Sequence, residues 1–270
     1  LATRPFVGTR WTWEALVEAC ADPAPAAGRV DAPAPTFVDA DLQARFAEDG
    51  YVVVDVLGPE EVAAYDRLVD ALFTGDAVGF HATNMLPSPE YRQAVWRGLR
   101  PMLEPKLLPL FVDHEACTAA LMIKFPDEGS GFIAHQDWSL VDEDRFRSVN
   151  VWIPLVDAHR DNGGLRVLAG SHRMLHAVRC SPAPPASYQP PGWQVSLTDL
   201  RLLDVRAGQA VIFDHAILHG SEPNRSGDPR RAVTLAFKPV AAQLYHWYLP
   251  APDAEVLEQY AIAPDYLADF

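Results

Sequence analysis

His135-Gln136-Asp137 sets an imidazole and a carboxylate two positions apart, directly after the apolar run Phe132-Ile133-Ala134. Side chains alternate along an extended strand, so His135 and Asp137 share a face and can reach one metal ion. Two ligands do not make a site. With 9 His and 23 Asp in 270 residues, roughly one His-x-Asp arises by chance. A second, His159-Arg160-Asp161, runs straight into Asn162-Gly163-Gly164. That is a turn, where strand alternation does not hold.

A third ligand has to come from a distant part of the chain, and His219 in Ile217-Leu218-His219-Gly220-Ser221 is the best candidate. Two histidines and one carboxylate form the facial triad that suits non-haem Fe(II) and leaves positions open. Those open positions need a co-substrate. Arg230 lies eleven residues beyond His219, and a guanidinium can hold the far carboxylate of a diacid through two hydrogen bonds. Ser221 adds a hydroxyl. Arg231 is expected on the opposite face, as a surface charge. His172, in Gly170-Ser171-His172, is expected to fix its own loop, and His176, His215 and His246 have no motif support.

The elements that would carry these groups read as follows. Trp11 to Glu18 suggests a short helix, and Asp22 to Pro35 a linker dense in Ala and Pro. A single domain is expected over residues 36–270. Asp39 caps a helix through Phe46; Tyr51 to Val56 is a strand; Pro59 opens a second helix whose Val62, Tyr65, Val69 and Leu72 face the core. Residues 74–90 read as a loop, with His81 and Asn84 as candidate substrate contacts. Residues 91–112 read as helix broken by Pro101, Pro105 and Pro109. Beyond Cys117 about eight short strands follow, separated by turn signals, with a Pro-rich excursion at 181–192 and a helical tail from Ala251 to Phe270. That half indicates a sandwich or double-sheet jelly roll, with the first-half helices on one outer face.

Six motifs in fixed order make the chain resemble the phytanoyl-CoA dioxygenase family: Lys124-Phe125-Pro126-Asp127, His135-Gln136-Asp137, Val151-Trp152-Ile153-Pro154-Leu155, Asn162-Gly163-Gly164-Leu165, Gly170-Ser171-His172, and His219 to Asn224 followed by Arg230. Asp49-Gly50-Tyr51-Val52-Val53 is similar to the family's opening strand. The resemblance implies a mainly β fold with flanking helices (α+β), built on a double-stranded β-helix, the cupin-like jelly roll. It implies Fe(II), 2-oxoglutarate as co-substrate and O2. His135, Asp137 and His219 would hold the iron. Arg230 and Ser221 would hold 2-oxoglutarate; Trp152 matches a position lining its pocket, although strand packing alone would make it core, and Asn150 faces the same way. Gln136 and Trp138 are candidate substrate contacts. Because Asp137 supplies the carboxylate ligand, the implied outcome is hydroxylation of an unactivated C–H bond in a small molecule of secondary metabolism, with 2-oxoglutarate going to succinate and CO2. Desaturation, epoxidation or ring formation with the same cofactors stays open, as do a non-catalytic jelly-roll binding protein and a zinc hydrolase.

The composition narrows the partners. A formal charge of −14 argues against nucleic acid, which needs a basic face. The chain has no apolar run of the roughly 18 residues that a spanning helix requires. Three scattered cysteines, Cys20, Cys117 and Cys180, fit a reducing compartment, so a cytoplasmic protein is expected. A CoA thioester is not favoured, because no basic cluster offers a phosphate handle. Nothing in the sequence fixes the oligomeric state.

Overall fold

The computed structural model describes residues 2–5, 34–173, 178–180, 195–248, 256–264 and 266–269. The expected helix at Trp11 to Glu18, most of the Ala/Pro-rich linker, the 181–192 excursion, Cys20 and His176 lie outside them.

The frame is a six-stranded antiparallel sheet in the order β2-β9-β6-β11-β4-β3. Its strands are β2 (Tyr51–Asp55), β3 (Phe80–Ala82), β4 (His114–Lys124), β6 (Val149–Pro154), β9 (Gln209–Asp214) and β11 (Arg230–Pro239). A four-stranded sheet faces it in the order β5-β10-β7-β8, built from β5 (Phe132–His135), β7 (Leu165–Leu168), β8 (Arg201–Leu202) and β10 (Leu218–Ser221). Two facing antiparallel sheets make the jelly roll.

The large sheet is buried on both faces, and strand parity sorts its residues. Val149, Val151 and Ile153, Ala210 and Ile212, and Val233 and Leu235 pack outward against the helices. Trp152, Val211, Phe213 and Ala232 point inward, where Leu165 and Val167 of the small sheet meet them. The covering helices are α1 (Ala40–Asp49), α2 (Pro59–Leu72) and α3 (Pro89–Leu107). Asp39 caps α1 by accepting from Asp41 N and Leu42 N. Leu99, Leu103 and Leu107 of α3 are fully buried, each contributing about 1.5–3 kcal/mol.

Four expectations are corrected. Helix α3 runs through Pro101 and Pro105 instead of breaking, because its buried leucine stripe outweighs a local penalty. Residues 74–90 are not all loop: β3 pairs with β4 through Phe80↔Lys124, His81↔Ile123 and Ala82↔Met122. The tail forms β13 (Val256–Ile262), between β1 (Ala2–Pro5) and β12 (Leu244–Tyr248), and among its described residues only α4 (Tyr266–Asp269) is helical. Of the short strands expected beyond Cys117, the run from Leu202 to Val205 is strand only at its start, where β8 covers Arg201 and Leu202. In the last three cases pairing with a remote segment, or its absence, decided the outcome. No helix among the described residues is long and apolar enough to cross a membrane.

Candidate metal and co-substrate site

His135 ends β5 and sits directly opposite His219 of β10 in the antiparallel register. Their ring centroids are 4.2 Å apart. Asp137 lies two residues past the end of β5, outside the ladder on which alternation was expected to place it. Its Oδ1 is 3.7 Å from Nε2 of His135 and 3.7 Å from Nε2 of His219. The three donor atoms lie within 4.8 Å of one another. The close approach of β10 to β5 depends on Gly220: a Cβ there would fall 2.8 Å from Ile133 O and 3.0 Å from Phe132 O.

Backbone carbonyls fix both imidazoles. His135 Nδ1 donates to Ile133 O at 2.8 Å, and His219 Nδ1 to Ile217 O at 3.1 Å. Nε2 is thereby left as the acceptor tautomer facing Asp137, as a metal ligand requires. Burial pushes His219 down to about 4, with His135 adding to the effect. Burial alone would raise Asp137; His219 and His135 outweigh it and hold the carboxyl well below the usual range. Both groups therefore stand at neutral pH in the form that binds a metal. Asn150 Nδ2 donates to Asp137 Oδ2 at 3.1 Å. This bond orients the carboxylate.

The triad opens into a cavity of about 160 Å³. A single water needs roughly 10–15 Å³ on that scale, so the space exceeds what a metal and its waters require. Arg230, Ser221, Trp152 and Asn150 all line it, as do Gln136, Trp138 and Asn84. Arg230 is 3% exposed. Its guanidinium carbon lies 5.2 Å from the Trp152 ring centroid, while Nε and Nη1 are buried without a partner. Burial lowers its pKa to about 9. A buried cation with orphaned donors, beside a two-histidine, one-carboxylate set, fits Fe(II) together with a diacid.

Other candidates are placed differently. Gln136 faces the cavity, but its amide donates to Ala216 O, tying the chain after His135 to the segment before His219. Trp138 packs in the cluster of Cys117, Leu140 and Ala236. His81 is not brought to the cavity. Phe80 and Ala82 line it, and parity turns His81 outward, where its Nε2 meets Tyr91 Oη at 3.1 Å. His159-Arg160-Asp161 is a capped 3-10 turn. Buried His172 packs on Phe46 and Gly50.

Sequence reasoning missed three groups. His215 lines the cavity, with Nδ1 2.9 Å from Ser148 Oγ; its position four residues before His219 was the available signal. Arg92 also lines it, with no sequence signal at all. Lys124 is buried behind the site, where Nζ donates to Ser130 O at 2.6 Å, Glu222 O at 2.8 Å and Ser221 O at 3.3 Å. It joins the turn before β5 to the loop after β10.

Residues 46–232 match the family model described as phytanoyl-CoA dioxygenase (PhyH). The chain is 27% identical over 248 residues to the ectoine dioxygenase of Streptomyces coelicolor, covering 79% of this chain and 81% of that protein. A mouse phytanoyl-CoA dioxygenase domain-containing protein 1 is 31% identical over 144 residues, covering 49% of this chain and 48% of the relative. Among solved structures, iron-bound HygX from Streptomyces hygroscopicus aligns with a TM-score of 0.55 at 17% identity, over 76% of this chain and 88% of that one. The non-haem α-ketoglutarate-dependent carbocyclase SnoK aligns with a TM-score of 0.53 at 18% identity, over 81% and 91%. Both share the fold.

Proposed function

The chain belongs to the phytanoyl-CoA dioxygenase family and is an Fe(II)- and 2-oxoglutarate-dependent dioxygenase, and from that premise we propose that it hydroxylates an unactivated C–H bond of a biosynthetic small molecule. In this reading His135, Asp137 and His219 hold the iron. Arg230 pairs with the far carboxylate of 2-oxoglutarate, Ser221 adds a hydroxyl, and Trp152 walls the pocket beneath the guanidinium. Bound iron with 2-oxoglutarate supplies the oxidising chemistry, as 2-oxoglutarate and O2 become succinate and CO2.

The protein's own residues supply geometry. The Ile133 and Ile217 carbonyls hold both Nε2 atoms toward one point, and Asn150 holds the carboxylate there. Phe132, Met122 and Trp138 help to wall the cavity, excluding water from the reacting carbon. Gln136 keeps the two ligand-bearing segments in register.

The observation that carries the proposal is the buried Arg230 with unpartnered Nε and Nη1, in the cavity that the three metal donors share. A zinc hydrolase has no use for that cation. Asp137 also supports hydroxylation, since a carboxylate ligand leaves no vacant place for a halide. The test is anaerobic Fe(II) loading, then exposure to 18O2 with 2-oxoglutarate and a panel of small molecules. Hydroxylation places one 18O atom in succinate and one in the product. A product two hydrogens lighter with no label would replace hydroxylation by desaturation, and absence of succinate across the panel would count against the whole reading.

A further inference from the structure

Arg92 is a charged group in the cavity wall that neither iron nor 2-oxoglutarate uses. It lies in the first turns of α3, two residues after the helix's Pro89-Glu90 start, and is 7% exposed. One Nη1 donates to Leu86 O. Nε is buried with no partner. Among the described residues three arginines are buried: Arg92, Arg166 and Arg230. Arg166 meets a carboxylate, with Nη2 2.8 Å from Glu222 Oε2. Among the described residues, neither Arg92 nor Arg230 has a carboxylate within 4.0 Å. Both line the cavity, and among the described residues lining it Asp137 is the only acidic one.

The charges then balance in a telling way. The two positive charges of Fe(II) and that of Arg230 offset Asp137 and the two carboxylates of 2-oxoglutarate. Arg92 is left over, a single positive charge out of water with an orphaned donor. Such a charge is costly unless a partner arrives. The cavity it shares is largely apolar: Phe80, Ala82 and Met85 of the segment before α3 line it, as do Leu140 and Leu267.

We infer that Arg92 is the specificity-determining residue for the substrate, binding a carboxylate on a molecule whose remaining body is apolar. This rests on the reading of the same cavity given above. One leftover charge matches a monoanion, and a guanidinium fork matches the planar carboxylate. A phosphate monoester would bring a second, unmatched negative charge.

The test uses the full chain loaded anaerobically with Fe(II). Straight-chain and aryl monocarboxylic acids of six to ten carbons are titrated calorimetrically beside their primary amides, with 2-oxoglutarate saturating and again without it. Wild type is expected to bind at least one acid tenfold or more tighter than its amide. Arg92→Gln should bring that ratio to within twofold, while the affinity for 2-oxoglutarate stays within twofold of wild type. Arg92→Lys, which keeps the charge, should retain part of the preference and guards against a folding defect in Arg92→Gln. The inference is overturned if wild type prefers no acid over its amide, if Arg92→Gln keeps the preference, or if Arg92→Gln loses 2-oxoglutarate instead. Failure of 2-oxoglutarate to give its visible charge-transfer band on the Fe(II) protein would sink the cofactor reading separately. The acid-to-amide ratio measured without 2-oxoglutarate still decides Arg92.

Discussion

Replacing Arg230 with methionine is expected to stabilise the ligand-free protein while crippling its hold on 2-oxoglutarate. The guanidinium is 3% exposed and has two orphaned nitrogens. An unpaired buried charge costs roughly 3–5 kcal/mol. Stacking over Trp152 at 5.2 Å returns about 1–2 kcal/mol. The net burden in the free protein is therefore about 1–4 kcal/mol. Methionine fills much of the same volume without the charge, so the melting temperature should rise by roughly 2–4 °C per kcal/mol relieved. The co-substrate loses two charge-assisted hydrogen bonds at about 1.5–3 kcal/mol each. Allowing for incomplete pairing, a loss near 3 kcal/mol raises Kd roughly 150-fold. Iron binding should stay put, because Arg230 lies on β11 and the ligands lie on or beside β5 and β10 of the facing sheet. The pH dependence gives an independent check. Burial pulls Arg230 from its ordinary value down to about 9 in the native state. Between those values the unfolded chain binds more protons, so this group makes stability rise with pH from about 9 upward. Over the same window the discharging guanidinium releases 2-oxoglutarate, and Arg230→Met abolishes both trends. Calorimetric titration and thermal melts at pH 7 and pH 9.5 measure them. A variant that is less stable and binds 2-oxoglutarate within threefold of wild type would refute the reasoning and make Arg230 a structural residue.

Three further outcomes are expected. Asn150→Ala removes the 3.1 Å bond to Asp137 Oδ2, and the metal dissociation constant, measured anaerobically by titration with Fe(II), should rise about 10–100-fold. Lys124→Met leaves two buried carbonyls and the part-buried Glu222 carbonyl without their shared donor; at about 1–3 kcal/mol for each buried one the urea midpoint should fall clearly, and an unchanged midpoint would show that water replaces the Lys124 amino group. His172 is pushed down to about 4 by burial, from 6.5, so the unfolded state binds more protons between those values. Stability should fall as pH drops from 6.5 to 4, by at most about 3 kcal/mol from this group, and urea melts of His172→Asn should show a shallower slope across that window.

How much of this was legible in the sequence follows from what each feature depends on. Parity is local. Val149, Val151 and Ile153 alternate with Asn150 and Trp152, so the face of every cavity residue on β6 could be read before any tertiary contact was known. The same holds for Ser221, which shares a face with His219 across Gly220. Strands β3 and β13 were not legible, because each exists through hydrogen bonds to a remote partner. Missing β3 had a direct consequence for the site. A loop reading gives no parity, and without parity His81 and Phe80 could not be told apart. Helix α3 failed in the opposite direction: Pro101 and Pro105 gave a strong local signal that tertiary burial overrode.

Arg92 marks the limit of local reading. In the sequence it is one of several polar positions on an amphipathic helix, and Arg97 and Arg100 on the same helix look no different. Arg97 and Arg100 meet Gln93 and Glu104 one turn away, at 3.0 Å and 2.7 Å. Arg92 instead ends against Leu86, beside β3. Its environment is set by residues 80–86 folding back along β4, a contact that no periodicity encodes. The site thus has two parts with different origins. The groups proposed to hold iron and 2-oxoglutarate, Asp137 apart, sit on ladder strands, where register fixes them. The groups that would meet the substrate, Asn84, Met85, Arg92 and Leu267, line the cavity from short segments and helices outside the two sheets. Substitutions in those segments can therefore change which molecule is accepted without moving a metal ligand.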